Sequence, residues 1–398
     1  MRRIVSLLAV VLLAAACSSD GTGEPIGELL GEPVDRLVIL GDDGNVFTIG
    51  PDGADQIGLT ADAGSGTGYF QPTWSPDGSR VAVGKFTGDQ YALVIAAADG
   101  SEERVAPTAA LPFYLFWDPA GGAVAFLSGG SAMSLGIVTT ANDATTVRTV
   151  DGGAPYYFDW EPEGTRMIVN TSGNRLEYRD PDGDAAPLGP EPGSFNAPQW
   201  TPDGIVYAAT TGGIGELVVA QEDEGADSVL EYSGFVQFEL AAGGERLAYQ
   251  VLSGDQQAAA VSFRQVPFAQ SGRLMVLDLI AGTQQQVTGE PVAGFWWSPD
   301  GSRLLVLGIE EDGLRWRMWD GTSLEDLTRF RPTGTFVRDF LPFFDQYARS
   351  MSLWSPDGNA FVYPAVDAEG TPRIWVQRLD GGEPQSVAEG VWAAWSPR

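Results

Sequence analysis

Trp74-Ser75-Pro76-Asp77-Gly78-Ser79-Arg80-Val81 returns almost unchanged as Trp297-Ser298-Pro299-Asp300-Gly301-Ser302-Arg303-Leu304, and its first five residues return as Trp354-Ser355-Pro356-Asp357-Gly358. Looser copies are Trp117-Asp118-Pro119-Ala120-Gly121, Trp160-Glu161-Pro162-Glu163-Gly164 and Trp200-Thr201-Pro202-Asp203-Gly204. A degenerate copy begins at Leu240, and the chain ends on a truncated one, Trp395-Ser396-Pro397-Arg398. From 74 onward the intervals are 43, 43, 40, 40, 57, 57 and 41 residues. Such a period marks a repeat architecture. Proline, then aspartate, then glycine suits a type I turn followed by a left-handed residue.

The Trp closes one strand, and the apolar run after the turn, such as Val81-Ala82-Val83, opens the next. A third strand over Tyr91–Ala96, an Asp99-Gly100 turn and a fourth strand ending near Val105 complete the unit. Four short strands per roughly 40 residues make a propeller blade, whose faces are buried only by stacking on its neighbours. These residues resemble the TolB-like, PD40-type (WD40-like) propeller repeat, over essentially all of 34–398. The resemblance implies fold far more than function, because that family includes scaffolds, peptidase-associated domains and lyases.

Seven markers, at 74, 117, 160, 200, 240, 297 and 354, each open a full blade. Residues 36–60 offer three strands without a marker: Leu37–Leu40, Val46–Ile49 and Gln56–Leu59. Val391–Trp395 offers an innermost strand without a blade. The fragments complement each other. The expected fold is therefore all-β: an eight-bladed β-propeller with four antiparallel strands per blade, closed by the C-terminal strand joining the N-terminal blade. Seven blades is the alternative if the Leu240 copy is spurious.

Composition narrows the chemistry. The 398 residues include no His and one Cys. That excludes Ser-His-Asp and Cys-His triads, histidine metal ligands, an internal disulfide and a CxxC site. The net charge of -30 argues against nucleic-acid binding, which needs Lys and Arg on phosphates. Met1-Arg2-Arg3 precedes an apolar run over 4–16 that is too short to span a bilayer and has the length of a signal-peptide core. Ala14-Ala15-Ala16-Cys17 resembles a bacterial lipobox, although that pattern favours Leu at position 14. The resemblance implies cleavage after residue 16 and a lipid on Cys17. The expected organisation is a signal peptide over 1–16, a lipidated flexible tether over 17–33 and the propeller over 34–398. An extracytoplasmic monomer, lipid-anchored to the bacterial membrane on its periplasmic or cell-surface side, follows.

Two intervals of 57 residues carry extra chain. One excess falls in the second-to-third-strand loop, 253–272, with Phe263, Arg264 and Phe268. The other falls in the interblade crossover, 329–351, with Arg338, Phe343, Phe344, Asp345, Gln346, Tyr347 and Arg349. Strand reversal puts both on one face, opposite the Ser-Pro-Asp-Gly turns. Long loops on a rigid scaffold are common binding elements, and aromatic and arginine side chains suit contact with a partner. The same aromatics would equally pack the crossover onto the ring.

No catalytic motif is recognisable and no cofactor is implied. Calcium finds weak support at Asp180–Asp184 and Glu310–Asp312, which read more simply as turns. The expected function is binding of a protein, peptide or saccharide at the cell envelope. The alternative is a carboxylate-based hydrolase or lyase in the central funnel.

Overall fold

The computed structural model describes residues 35–398 except 130–131, 141–145, 163, 165, 172–174, 189–191, 194, 203, 222–224 and 253–272. Within these, the chain forms antiparallel sheets: six of four strands and one of seven. The unit after the first marker is typical. Thr67–Trp74, Arg80–Thr87, Gln90–Ala97 and Glu103–Thr108 follow in order. Burial falls across such a sheet, from a largely buried first strand to a mostly exposed fourth.

The first sheet is assembled from both ends of the chain. Its order is Ile57–Gly58, Val46–Ile49, Leu37–Leu40, Trp392–Trp395. Leu37 pairs with Trp395 and Leu40 with Trp392. The seven-stranded sheet is two units in continuity. Leu324–Pro332 passes from Gly313–Trp319 to Ala360–Val366 through the pairs Arg331↔Val366 and Pro332↔Ala365. On its far side Trp354 makes a single bridge to Phe361, so the unit after that marker has almost no innermost strand.

The repeat owes its residues to contacts within and between units. At the first copy, Gly78 N–H donates to the Ser75 carbonyl at φ +69°, and Arg80 N–H donates to Ser75 Oγ. Asp77 Oδ1 accepts from Ser75 Oγ (2.6 Å) and from Ser79 N–H (3.0 Å). The indole N–H of each full marker from Trp74 to Trp354 donates to the carbonyl just before the preceding marker. Trp117 reaches Thr73, Trp160 reaches Phe116, Trp200 reaches Asp159, Trp297 reaches Glu239 and Trp354 reaches Trp296, over 3.0–3.4 Å. Trp74 reaches Ala394, before the last marker. Leu240 has no such donor, and Gln199 substitutes by binding both Phe238 O and Leu240 N. The arginine after the turn works forward: Arg80 lies over the Trp117 ring at 4.8 Å and Arg246 over Trp297 at 5.1 Å. Burying one such indole removes about 200 Å² of surface from water, on the order of 5 kcal/mol gross.

The long crossover does not form an outer rim. It winds through short helical turns over Phe336–Phe340, Leu341–Phe343 and Phe344–Tyr347. It touches the innermost strands of five sheets. Phe340 stacks on Trp392 at 3.4 Å, Phe344 packs edge-on against Phe295 and Trp296, and Tyr347 meets Tyr114. Thr73 Oγ donates to Ser350 O, and Arg349 pairs with Asp159. One segment reaches all these strands only by lying along the axis they surround. It enters beside the starts of the first strands, where Thr333 Oγ donates to Val391 O, and fills the channel from that end.

Candidate functional site

With that end filled, the channel opens on the side of the Ser-Pro-Asp-Gly turns. There it widens into a funnel of about 900 Å³. Its rim carries Pro162, Pro202, Pro299, Pro356 and Pro397 from five of the turns. Its wall shows the edges of Trp200, Trp296, Trp297 and Trp354, and its floor holds Phe116, Glu239, Ala348 and Arg349. This is the face opposite the one the sequence favoured for recognition.

Arg349 is fixed from below. Its Nε lies 3.0 Å from Asp159 Oδ2, with Asp159 fully buried and the arginine side chain 28% exposed into the funnel. Burial pushes the Asp159 carboxyl up to about 6 even though Arg349 opposes the shift. Glu239 is also pushed well above the usual carboxylate range by burial, and Asp345, inside the plug, to about 7. Among the described residues, neither Asp159 carboxylate oxygen accepts a hydrogen bond, so its link to Arg349 is an ion pair, and Glu239 Oε2 has no hydrogen-bond partner either. At the rim, Arg166 pairs with Glu161 at 3.2 Å and lies over the Tyr178 ring.

The residues singled out in the crossover separate into three settings. Phe344, Asp345 and Tyr347 are buried in the channel, so they are packing groups and not a presented surface. Gln346 is half-buried beside them. Arg338 and Phe343 are exposed on the filled side, Arg338 paired with its neighbour Asp339 at 2.7 Å and Phe343 edge-on to Tyr347. Arg349 alone reaches the funnel. Phe263, Arg264, Phe268 and Cys17 lie outside the described residues.

Asp159 and Glu239 escaped the sequence reading, and a usable signal existed. Both stand directly before a marker. So do Thr73, Phe116, Trp296 and Leu353, each of which touches the plug or lines the funnel. The acidic stretches weighed for calcium are turns with ion-paired side chains: Asp182 meets Arg148, Glu310 meets Arg315 and Asp312 meets Arg329. Among the described residues, no group of three acidic or cysteine side chains is placed to hold a metal ion.

Several solved structures share the architecture. The chain is similar over 92% of its length to dihydro-heme d1 dehydrogenase NirN in complex with DHE, at 14% identity and a TM-score of 0.59, covering 76% of that chain. It is similar over 92% of its length to a eukaryotic initiation factor, at 11% identity and a TM-score of 0.58, covering 99% of that chain. It is similar over 82% of its length to the β-propeller domain of the Trilobed protease from Pyrococcus furiosus, at 12% identity and a TM-score of 0.50, covering 99% of that chain. At such identities the likeness shows the fold alone, a β-propeller. No protein-family model and no curated protein matches the chain.

Proposed function

We propose that this chain is a ligand-binding β-propeller of TolB-like type, held at a bacterial envelope by a lipid on Cys17, and that its ligand enters the funnel on the turn side. The ring has eight blades: the two-ended sheet, five further four-stranded sheets and the two units fused in the seven-stranded one. The pairing of Trp392–Trp395 with Leu37–Leu40 supports closure by the C-terminal strand. The propeller acts as a monomer, without nucleic acid, metal or cofactor.

One observation carries the binding reading: an open funnel of about 900 Å³ whose far end is stopped by the chain's own crossover. Such a volume is ordinary for a ligand site. Binding is favoured over hydrolysis or elimination because the carboxylates at the floor are almost wholly buried. Asp159 is 0% exposed and Glu239 7%, whereas a catalytic carboxylate must meet the scissile bond.

The test is comparative capture from envelope extracts. Ala242 is exposed at the mouth, so Ala242→Trp narrows the entrance without removing packing. Wild type is expected to retain a partner that A242W loses, with the double variant R338A/F343A behaving as wild type. Retention by A242W and loss by R338A/F343A would move recognition to the filled side. Mass spectrometry of the membrane-extracted protein checks the anchor, with a lipidated N-terminal Cys17 expected.

A further inference from the structure

We infer that the funnel is a carboxylate-recognition site, in which Arg349 receives the C-terminal carboxylate of an extended peptide that enters end-first. This rests on the funnel being the binding site, as proposed above.

The geometry of Arg349 is that of an anchored fork. Fully buried Asp159 places Oδ2 3.0 Å from Nε and holds the guanidinium from beneath as an ion pair. Neither terminal amino group donates a hydrogen bond to a described residue, and the side chain is open to the funnel. A planar guanidinium whose N–H groups have no hydrogen-bond acceptor among the described residues keeps pairs of donors in the spacing of two carboxylate oxygens.

The local charge is out of keeping with the chain. The whole protein carries 53 acidic against 23 basic residues. The funnel is lined by two arginines and two glutamates. Glu161 is answered by Arg166. Glu239 is 7% exposed, and its burial favours the neutral acid. That leaves Arg349 as the charge that faces the funnel floor, its counter-ion Asp159 buried behind it, in a concavity whose walls exclude much of the screening solvent.

Shape then selects the kind of anion. The far end is filled by Phe340, Phe344 and Tyr347, each at most 8% exposed. A polymer cannot thread through a dead end, so what reaches the floor is a chain terminus. The indoles of Trp200, Trp297 and Trp354 are wedged between sheets, Trp296 packs on Phe344 of the plug, and all four are at most 7% exposed. They offer edges and not the open faces on which a pyranose ring stacks. A peptide terminus needs no such face, and its charged end is the carboxylate that matches Arg349.

The test uses the mature full-length protein and a pool of N-acetylated pentapeptides of randomised sequence, prepared as free acids and as C-terminal amides. Retention on immobilised protein is read by mass spectrometry and affinities by calorimetry. Free acids are expected to bind at least about 30-fold more tightly than their amides, the size of a lost charge-assisted pair. R349Q should abolish the difference. Because R349Q leaves Asp159 alone, the double variant R349Q/D159N removes both charges; it should keep the wild-type circular dichroism and still lose the preference. Equal binding of acids and amides, a preference that survives both variants, or no retention at millimolar concentration would each overturn the assignment. Stronger Arg349-dependent binding of trigalacturonate than of any peptide acid would replace the peptide by a uronate saccharide. If partner capture stays sensitive to A242W while these outcomes fail, the funnel remains the binding site and only the carboxylate assignment falls.

Discussion

The indole N–H of Trp74 donates to the carbonyl of Ala394 at 3.2 Å, across 320 residues of sequence. The bond repeats the link made between consecutive markers elsewhere, but here it joins the first marked unit to the last strand. Trp74→Phe removes the donor and part of the wedge. We expect a loss of about 1–3 kcal/mol in urea denaturation. Deleting 392–398 removes the whole partner of Leu37–Leu40 and bares a buried strand edge, so aggregation during refolding is expected instead of a modest shift. A truncated chain that refolds as a monomer with wild-type stability would show that the two ends are not coupled.

Two glycines at the same backbone angle separate conformational cost from crowding. Gly301 and Gly282 both sit at φ +66°. A Cβ on Gly301 would stand 2.9 Å from the Ala242 carbonyl of the neighbouring turn, whereas nothing lies within 4 Å of one on Gly282. Gly282→Ala should cost about 1 kcal/mol, the ordinary penalty for a left-handed alanine. Gly301→Ala should cost roughly 1–2 kcal/mol more, because the turn of one unit seats on the next. Equal melting temperatures for the two variants would mean that this contact relaxes freely.

The repeat was legible because each copy does the same local work. Pro-Asp-Gly sets a turn, the Trp binds one neighbour and the following Arg covers the next. The two incomplete ends were legible for the same reason: three strands at one end and one at the other fit a unit of four. The direction of the long crossover was not. Its length reports extra chain, but its turn inward is decided by pairs such as Phe340–Trp392 and Tyr347–Tyr114, which are remote in sequence. The floor was hidden for the same reason, since Asp159 and Arg349 belong to different units and neither stands in a motif. Glu239 and Asp159 share only their place before a marker, which acquires meaning once that place is seen to face the axis.

Adjacent phenylalanines in the plug should differ sharply. Phe344 is 2% exposed and packs against Phe295 and Trp296 at 5.0 and 5.4 Å. Phe343 is 38% exposed. Phe344→Ala should destabilise the protein by about 3–5 kcal/mol through the cavity it leaves. Phe343→Ala should stay within roughly 1 kcal/mol. Thermal melts of the two single variants decide it. Similar small losses would mean that the plug is not part of the folded core.

Acidification to about pH 5 should stabilise this protein. Asp159 and Asp345 are buried among Tyr157, Glu239 and Arg349, and burial lifts their carboxyls to about 6 and about 7 from an ordinary value of 3.8. Between the ordinary and the lifted values the folded chain binds more protons than the unfolded one. Stability therefore falls as pH rises from about 4 to about 7, by a few kcal/mol in all, and Glu239, also lifted by burial, adds to the fall. Turn carboxylates act in the opposite sense, but Asp300, drawn down to about 2 by Ser298 and Ser302, matters only below about pH 4. Urea midpoints at pH 5 and pH 8 measure the effect. Asp345→Asn should raise the midpoint at pH 8 and flatten the profile, since an amide needs no proton to remain uncharged in the channel. A wild-type midpoint that rises from pH 5 to pH 8 would mean that Asp159 and Asp345 keep their charge in the folded state and that water or a counter-charge reaches the plug.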